Sequence, residues 1–131
     1  MKKIEVVAAI ITCGDDILCV QRGAAKYDYI ANKFEFPGGK IEEGETPDQA
    51  IIREIQEELH IALPEVTYFA TIEHQYPDFY ITMHAYKCPV ITKDLTLTEH
   101  ISQQWLRPHQ LNSLDWAAAD IPFVEQLMVG S

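Results

Sequence analysis

The chain has no run approaching the ~20 apolar residues of a membrane-spanning helix, no internal repeat and no low-complexity tract. It is also short of positive charge: 10 Lys and Arg stand against 20 Asp and Glu, a formal net charge of −10. A surface for nucleic-acid polymers is basic, so this balance argues against that partner. Cysteine is scarce, and Cys13, Cys19 and Cys88 are an odd number without metal-ligand spacing. Two of them lie in apolar alternating segments, which predicts buried thiols in a reducing cytoplasm. Met1-Lys2-Lys3 and the apolar residues behind it have the outline of a signal peptide. Glu5 breaks the outline, the run from Val6 to Ile11 is short, and Asp15-Asp16 follows, so a first strand is expected instead.

With 131 residues and 47% hydrophobic content, residues 1–131 are expected to form one domain with a proper core. Residues 4–12 and 17–22 are β-rich runs separated by Gly14-Asp15-Asp16, a hairpin signal. Residues 34–36 predict a short strand. Residues 66–76 and 79–91, broken at Pro77-Asp78, predict a second hairpin, and residues 103–106 another strand. Helices are expected at 47–59 and 120–128, the second with Ile121, Val124, Leu127 and Met128 inward. Strands mixed with two helices fit an α/β sandwich.

Chemistry concentrates in residues 39–61. Glu54, Glu57 and Glu58 stand at i, i+3 and i+4, so the helix period puts them on one face. Like charges at that spacing repel by roughly 0.2–0.5 kcal/mol per pair. They also lie toward the helix C-terminus, where the macrodipole disfavours anions. A solvated acidic face is the ordinary fate of a Glu run. Acids placed against both costs make sense if divalent cations neutralise them, and hard oxygen ligands suit Mg²⁺ or Mn²⁺. Thr46, Pro47 and Gln49 form a helix start with a capping box. Ile51, Ile52, Ile55 and Leu59 form an apolar stripe away from the acids. Arg53 lies one turn before Glu57, within bridging reach. Phe36-Pro37-Gly38-Gly39-Lys40 reads as a glycine turn that lets backbone carbonyls approach a ligand.

The spacing Gly39, five residues, Glu45, seven residues, then Arg53-Glu54-Ile55-Gln56-Glu57-Glu58-Leu59-His60-Ile61 resembles the signature G-x5-E-x7-R-E-U-x-E-E-x-G-U of Nudix hydrolases, U being aliphatic. Eight of nine defined positions match. The departure is His60, where the family has glycine in a left-handed conformation; a slightly strained turn is expected, without loss of the metal site. Residues 31–42 are similar to MutT-type enzymes, which hydrolyse oxidised nucleoside triphosphates. Residues 4–11 and Ala119-Asp120-Ile121-Pro122 are similar to the CTP pyrophosphohydrolase branch. The resemblance implies an α/β/α sandwich with a mixed sheet, acting on a small nucleotide; a monomer or homodimer is expected. It implies attack of water on a triphosphate, giving a monophosphate and pyrophosphate.

Carried over by position, Glu57, Glu58 and the Gly38 carbonyl would be metal ligands, and Glu54 a ligand or the general base. Glu99, six residues before Trp105, resembles the extra acid of MutT-type enzymes and is the alternative ligand and base. Arg53 would act by positioning Glu57. Arg22 resembles the family's phosphate-binding arginine, or is a solvated strand-end charge. Asp120 occupies a base-contact position, where an ionised carboxylate only accepts, or it is the N-cap of the last helix. Tyr29 and Phe79 are candidates to stack on a base, or are core and surface aromatics. The remaining histidines have no metal spacing. Two other readings stay open: a hydrolase of ADP-ribose or another diphosphate-linked nucleoside, and a catalytically silent nucleotide-binding module.

Overall fold

A computed structural model describes residues 2–130. The elements follow as β1 (Lys2–Cys13), β2 (Asp16–Arg22), β3 (Phe34–Glu35), β4 (Gly38–Lys40), α1 (Pro47–Leu59), β5 (Thr67–Gln75), β6 (Phe79–Pro89), β7 (His100–Leu106) and α2 (Ile121–Val129). Two 3₁₀ turns, Pro108–Ser113 and Ala118–Asp120, precede α2. The seven strands form one mixed sheet with a central path β3-β2-β1-β6-β5. β1 runs parallel to β6 from Lys2↔Phe79 to Thr12↔Pro89, and the other pairings between these strands are antiparallel.

β1 and β2 pair only beside their turn, at Thr12↔Ile17 and Cys13↔Asp16. Beyond that point they splay. β6 occupies the far edge of β1 and β7 the far edge of β2, so residues 34–40 fill the split. β3 pairs with β2 at Val20↔Glu35, and β4 pairs with β1 at Ala8↔Gly38 and Val7↔Gly39. The glycine pair is therefore strand, not the turn the sequence predicts. Gly38 is required because a β-carbon there would strike the Val7 carbonyl, while one at Gly39 would push the Glu54 carboxylate aside.

The continuous apolar run of β1 reflects burial on both faces of the sheet. Val7, Ala9 and Ile11 pack with Ala50, Ile51, Ile55 and Leu59 of α1. Ala8 and Ile10 pack on the opposite face with Phe123, Val124 and Leu127 of α2. Two details of the expected stripes are corrected. Ile52 is 45% exposed and Ile121 41%, while Phe123 is fully buried, because each helix turns a narrower face to the sheet than its hydrophobic count suggests. Cys19 and Cys88 are buried free thiols.

Both ends of α1 follow the sequence closely. The Thr46 hydroxyl accepts from Gln49 N at 3.2 Å, and the Gln49 side chain accepts from Thr46 N at 2.9 Å. His60 closes the helix in the left-handed region, at φ 57° and ψ 37°. α2 starts at Ile121, and Asp120 makes no side-chain cap bond to it.

Candidate active site

Arg53 organises the acids. Its Nε and Nη2 donate to Glu45 Oε2 and Oε1 at 2.7 and 2.9 Å, a bidentate fork. Nη1 donates to Glu54 at 2.8 Å and to Glu57 at 3.3 Å, and Nη2 also reaches the Lys40 carbonyl at 3.0 Å. Glu57 is thus its weakest carboxylate hydrogen bond, against the sequence expectation, while Glu45 and Glu54 take the short bonds. The fork holds the Glu45 carboxyl down at about 2. It ties α1 to β4, and so to the sheet split.

The three acids of α1 do not share one environment. Glu57 is exposed, Glu54 is largely covered, and Glu58 is 4% exposed. Glu58 lies between the acid face and the buried stripe, one residue before Leu59. Its Oε2 is buried without a hydrogen-bond partner. Burial, a hydrogen bond donated to Glu99 by the protonated form, and the charges of Glu99, Glu54 and Glu35 push Glu58 up to about 10. Burial also raises Glu54, opposed by its bond to Arg53.

Glu99 arrives by helix capping from outside. Thr98 N and Oγ1 donate to the Glu58 carbonyl at 3.1 and 2.8 Å, and Thr96 N donates to the Leu59 carbonyl at 3.0 Å. These satisfy carbonyls that a helix C-terminus leaves open. The residue after them is Glu99, carried beside Glu58.

Around this cluster one guanidinium serves Glu45, Glu54 and Glu57, with Glu42 at 3.5 Å. Positive charge is in deficit, and an orphaned carboxylate oxygen points to what is missing. The donors are all hard oxygens, so the residues fit a divalent cation. Among the described residues no three or more His, Cys, Asp or Glu side chains converge as a metal-holding group, so these acids lie near one another without being gathered round one point.

On the other side of Gly38 and Gly39 lies a cavity of about 110 Å³, lined among others by Arg22, Glu35, Phe36, Tyr76, Phe79 and Asp120. Its wall is a strand pairing that a side chain completes. Phe34 N donates to the Asp115 carbonyl at 2.8 Å and Ala117 N to the Phe34 carbonyl at 2.9 Å. Phe36 N then donates to Asp120 Oδ1 at 3.1 Å. Asp120 is 2% exposed, and burial, reinforced by the Glu35 charge, raises its carboxyl well above the ordinary range. Burial thus works against the ionised, acceptor-only form of the sequence reading, and a carboxyl that takes up a proton donates as well as accepts.

Arg22, Phe79 and Asp120 thus share one cavity, and Gly39 joins it to the acid cluster. Tyr29 does not line it. Tyr29 stacks on Tyr27 and Tyr76 with centroids 5.2 Å away in each case, and its hydroxyl donates to Asp78 at 2.8 Å. It ties the loop of residues 23–33, of which it is part, to Tyr76 and Asp78. Sequence reasoning missed Glu35, Tyr76 and His100. Glu35 bonds both Arg22 and His100, and the Tyr76 hydroxyl accepts from Ala119 N at 3.0 Å. The available signal was a lone acid inside the apolar stretch Phe34-Glu35-Phe36.

The sequence model of the NUDIX domain matches residues 2–127. The chain belongs to the Nudix family. An 8-oxo-dGTP diphosphatase of Escherichia coli (strain K12) is 35% identical over 127 residues, covering 97% of this chain and 98% of that one. A CTP pyrophosphohydrolase of the same organism is 38% identical over 128 residues, covering 98% and 93%. The solution structure of the E. coli ORF135 protein superposes with a TM-score of 0.83 at 38% identity, covering 98% of this chain and 91% of that one. Nudix hydrolases generally need a divalent metal, in keeping with the acid set around Glu58. Among the described residues no helix is long and apolar enough to cross a membrane.

Proposed function

We propose that this Nudix hydrolase converts nucleoside triphosphates to monophosphates and pyrophosphate with Mg²⁺, acting on CTP-like and oxidised purine nucleotides such as 8-oxo-dGTP. The observation that carries the reading is the shared wall. Gly39 faces the Glu54 carboxylate on one side, and Gly38 and Gly39 line the Asp120 cavity on the other. A nucleotide with its base beside Asp120 therefore has its phosphates led toward α1. The two relatives named above act on the two substrate types, which supports a pocket tolerant of both.

Glu57, Glu58 and the Gly38 carbonyl would hold the cation, with Glu54 or Glu99 completing the set. When bound, the cation neutralises phosphate oxygens and acidifies the attacking water. Glu54 or Glu99 takes the proton from the attacking water as its oxygen bonds to phosphorus and the bridging P–O bond breaks, separating monophosphate from pyrophosphate. Arg53 keeps Glu54 and Glu57 in place and makes no contact with the reacting atoms. Arg22 holds a phosphate oxygen at the cavity mouth, and Phe79 packs on the base. Asp120 meets the base edge, and its protonated form offers a donor beside an acceptor, which suits more than one base. Retention of Glu54, Glu57 and Glu58 speaks against a silent binding module.

Product analysis on a panel of CTP, dCTP, dGTP, 8-oxo-dGTP, UTP and ADP-ribose tests the assignment. Monophosphate and pyrophosphate from the triphosphates are expected. Turnover of ADP-ribose with none of the triphosphates would replace this reading with the diphosphate-linked one.

A further inference from the structure

Glu35 stands where the two halves of the site meet, and its charge is felt at both Glu58 and Asp120. Three strands converge on it. Arg22 ends β2, Glu35 ends β3 and His100 opens β7, with Arg22 paired to His100 beside a register shift. Glu35 Oε1 accepts from Arg22 Nε at 3.2 Å, and Oε2 lies 2.9 Å from His100 Nε2. A carboxylate only accepts, so the imidazole Nε2 is the donor. The His100 side chain is 3% exposed, and its Nδ1 has no hydrogen-bond partner among the described residues. The ring is thus enclosed, and its hydrogen bond is directed at Glu35.

An Arg–Glu pair at a surface is loosely held and contributes little by itself. Arg22 is 45% exposed, so nothing in its own burial fixes it. A buried donor on the second carboxylate oxygen changes this, because Glu35 can no longer rotate without leaving His100 unpaired. Partners behind a contacting residue commonly set its orientation in this way.

We propose that His100 is a positioning residue for the triphosphatase reaction: it locks Glu35, and through Glu35 it holds Arg22 at the mouth of the cavity where the phosphate chain enters. This rests on the function proposed above. His100 touches neither substrate nor reacting atoms, and its role needs no change of charge.

The test is a double-mutant cycle on the whole chain, reading kcat and KM for the preferred triphosphate. His100→Ala is expected to raise KM about tenfold and leave kcat within about twofold. Glu35→Gln with His100→Ala should lose no more than Glu35→Gln alone, because the two act in series. His100→Gln, whose amide can donate from nearly the same place, should restore most of the loss. In ¹⁵N-labelled protein the His100 imidazole resonances should move on Glu35→Gln. Losses that multiply in the double variant, or a fall in kcat at unchanged KM, would overturn the proposal. An imidazole indifferent to Glu35→Gln would overturn it too, and decides the matter if His100→Ala does not fold. A wild-type chain without triphosphatase activity would sink the function itself, while the imidazole spectrum would still report on the His100–Glu35 contact.

Discussion

Asp120 Oδ1 accepts the main-chain N–H of Phe36 at 3.1 Å, so the carboxyl at the head of α2 is committed to the segment between β3 and β4. Two roles follow and can be separated. Asp120→Ala should cut kcat/KM about tenfold or more for the preferred base and barely affect a nucleotide whose base is not read there. It also leaves the Phe36 N–H unpaired in a buried place, at a cost of roughly 1–3 kcal/mol. Asp120→Asn keeps an acceptor for that N–H, so its Tm should stay near wild type. Equal kinetic losses across CTP, dGTP, 8-oxo-dGTP and UTP would make Asp120 a framework residue only.

Glu58 gives a prediction in pH. Its carboxyl goes from an ordinary 4.5 up to about 10 on folding without metal. A group raised on folding contributes fully below its unfolded pKa, and that contribution is lost as pH rises toward the folded value. Stability of the metal-free protein should therefore fall as pH rises through this window. A divalent cation takes the proton's place, so Mg²⁺ should raise Tm more at about pH 8.5 than at about pH 6. Glu58→Gln should keep the fold, flatten the pH dependence and abolish turnover. Near-normal rate in that variant at saturating Mg²⁺ would sink the metal assignment.

Arg53→Lys keeps a charge and loses the fork that binds Glu45 on both oxygens. Groups one step behind metal ligands typically set affinity by about 10- to 100-fold. The Mg²⁺ concentration for half-maximal rate should rise by that order, with the maximal rate recovered in part. An unchanged Mg²⁺ titration would mean that Arg53 serves only to tie α1 to β4.

How far the sequence was readable depends on the range of the forces involved. α1 was legible to the residue because its start is a local bond set, Thr46 with Gln49, and its end is a local backbone conformation at His60. The hairpins were legible for the same reason. The split between β1 and β2 was not, since Gly38-Gly39 reads locally as a turn and becomes a strand only by pairing with Ala8 and Val7 of β1. The acid helix announced its chemistry through like charges at i, i+3 and i+4. The unequal burial of Glu57 and Glu58 came from the sheet beneath. Glu35 and His100 lie 65 positions apart, and only the pairing of three strands brings them together.

The His60 turn offers a change that should improve the protein. His60 holds φ 57° and ψ 37°, a region that costs a residue with a β-carbon roughly 1–2 kcal/mol and glycine almost nothing. Glycine in turn gives the unfolded chain more freedom, which offsets part of the gain. The net effect of His60→Gly should be a stabilisation of up to about 1 kcal/mol, or a few degrees in Tm. The imidazole is exposed, and the closing bond from the His60 N–H to the Gln56 carbonyl, 3.1 Å long, is main-chain only. Neither the Mg²⁺ titration nor kcat should therefore move beyond about twofold. Melting curves with and without Mg²⁺ check the first point and initial rates the second. A lower Tm would mean that the imidazole makes a stabilising contact outweighing the backbone strain. A large loss of rate at unchanged Tm would mean that the left-handed histidine helps to aim Glu57 and Glu58.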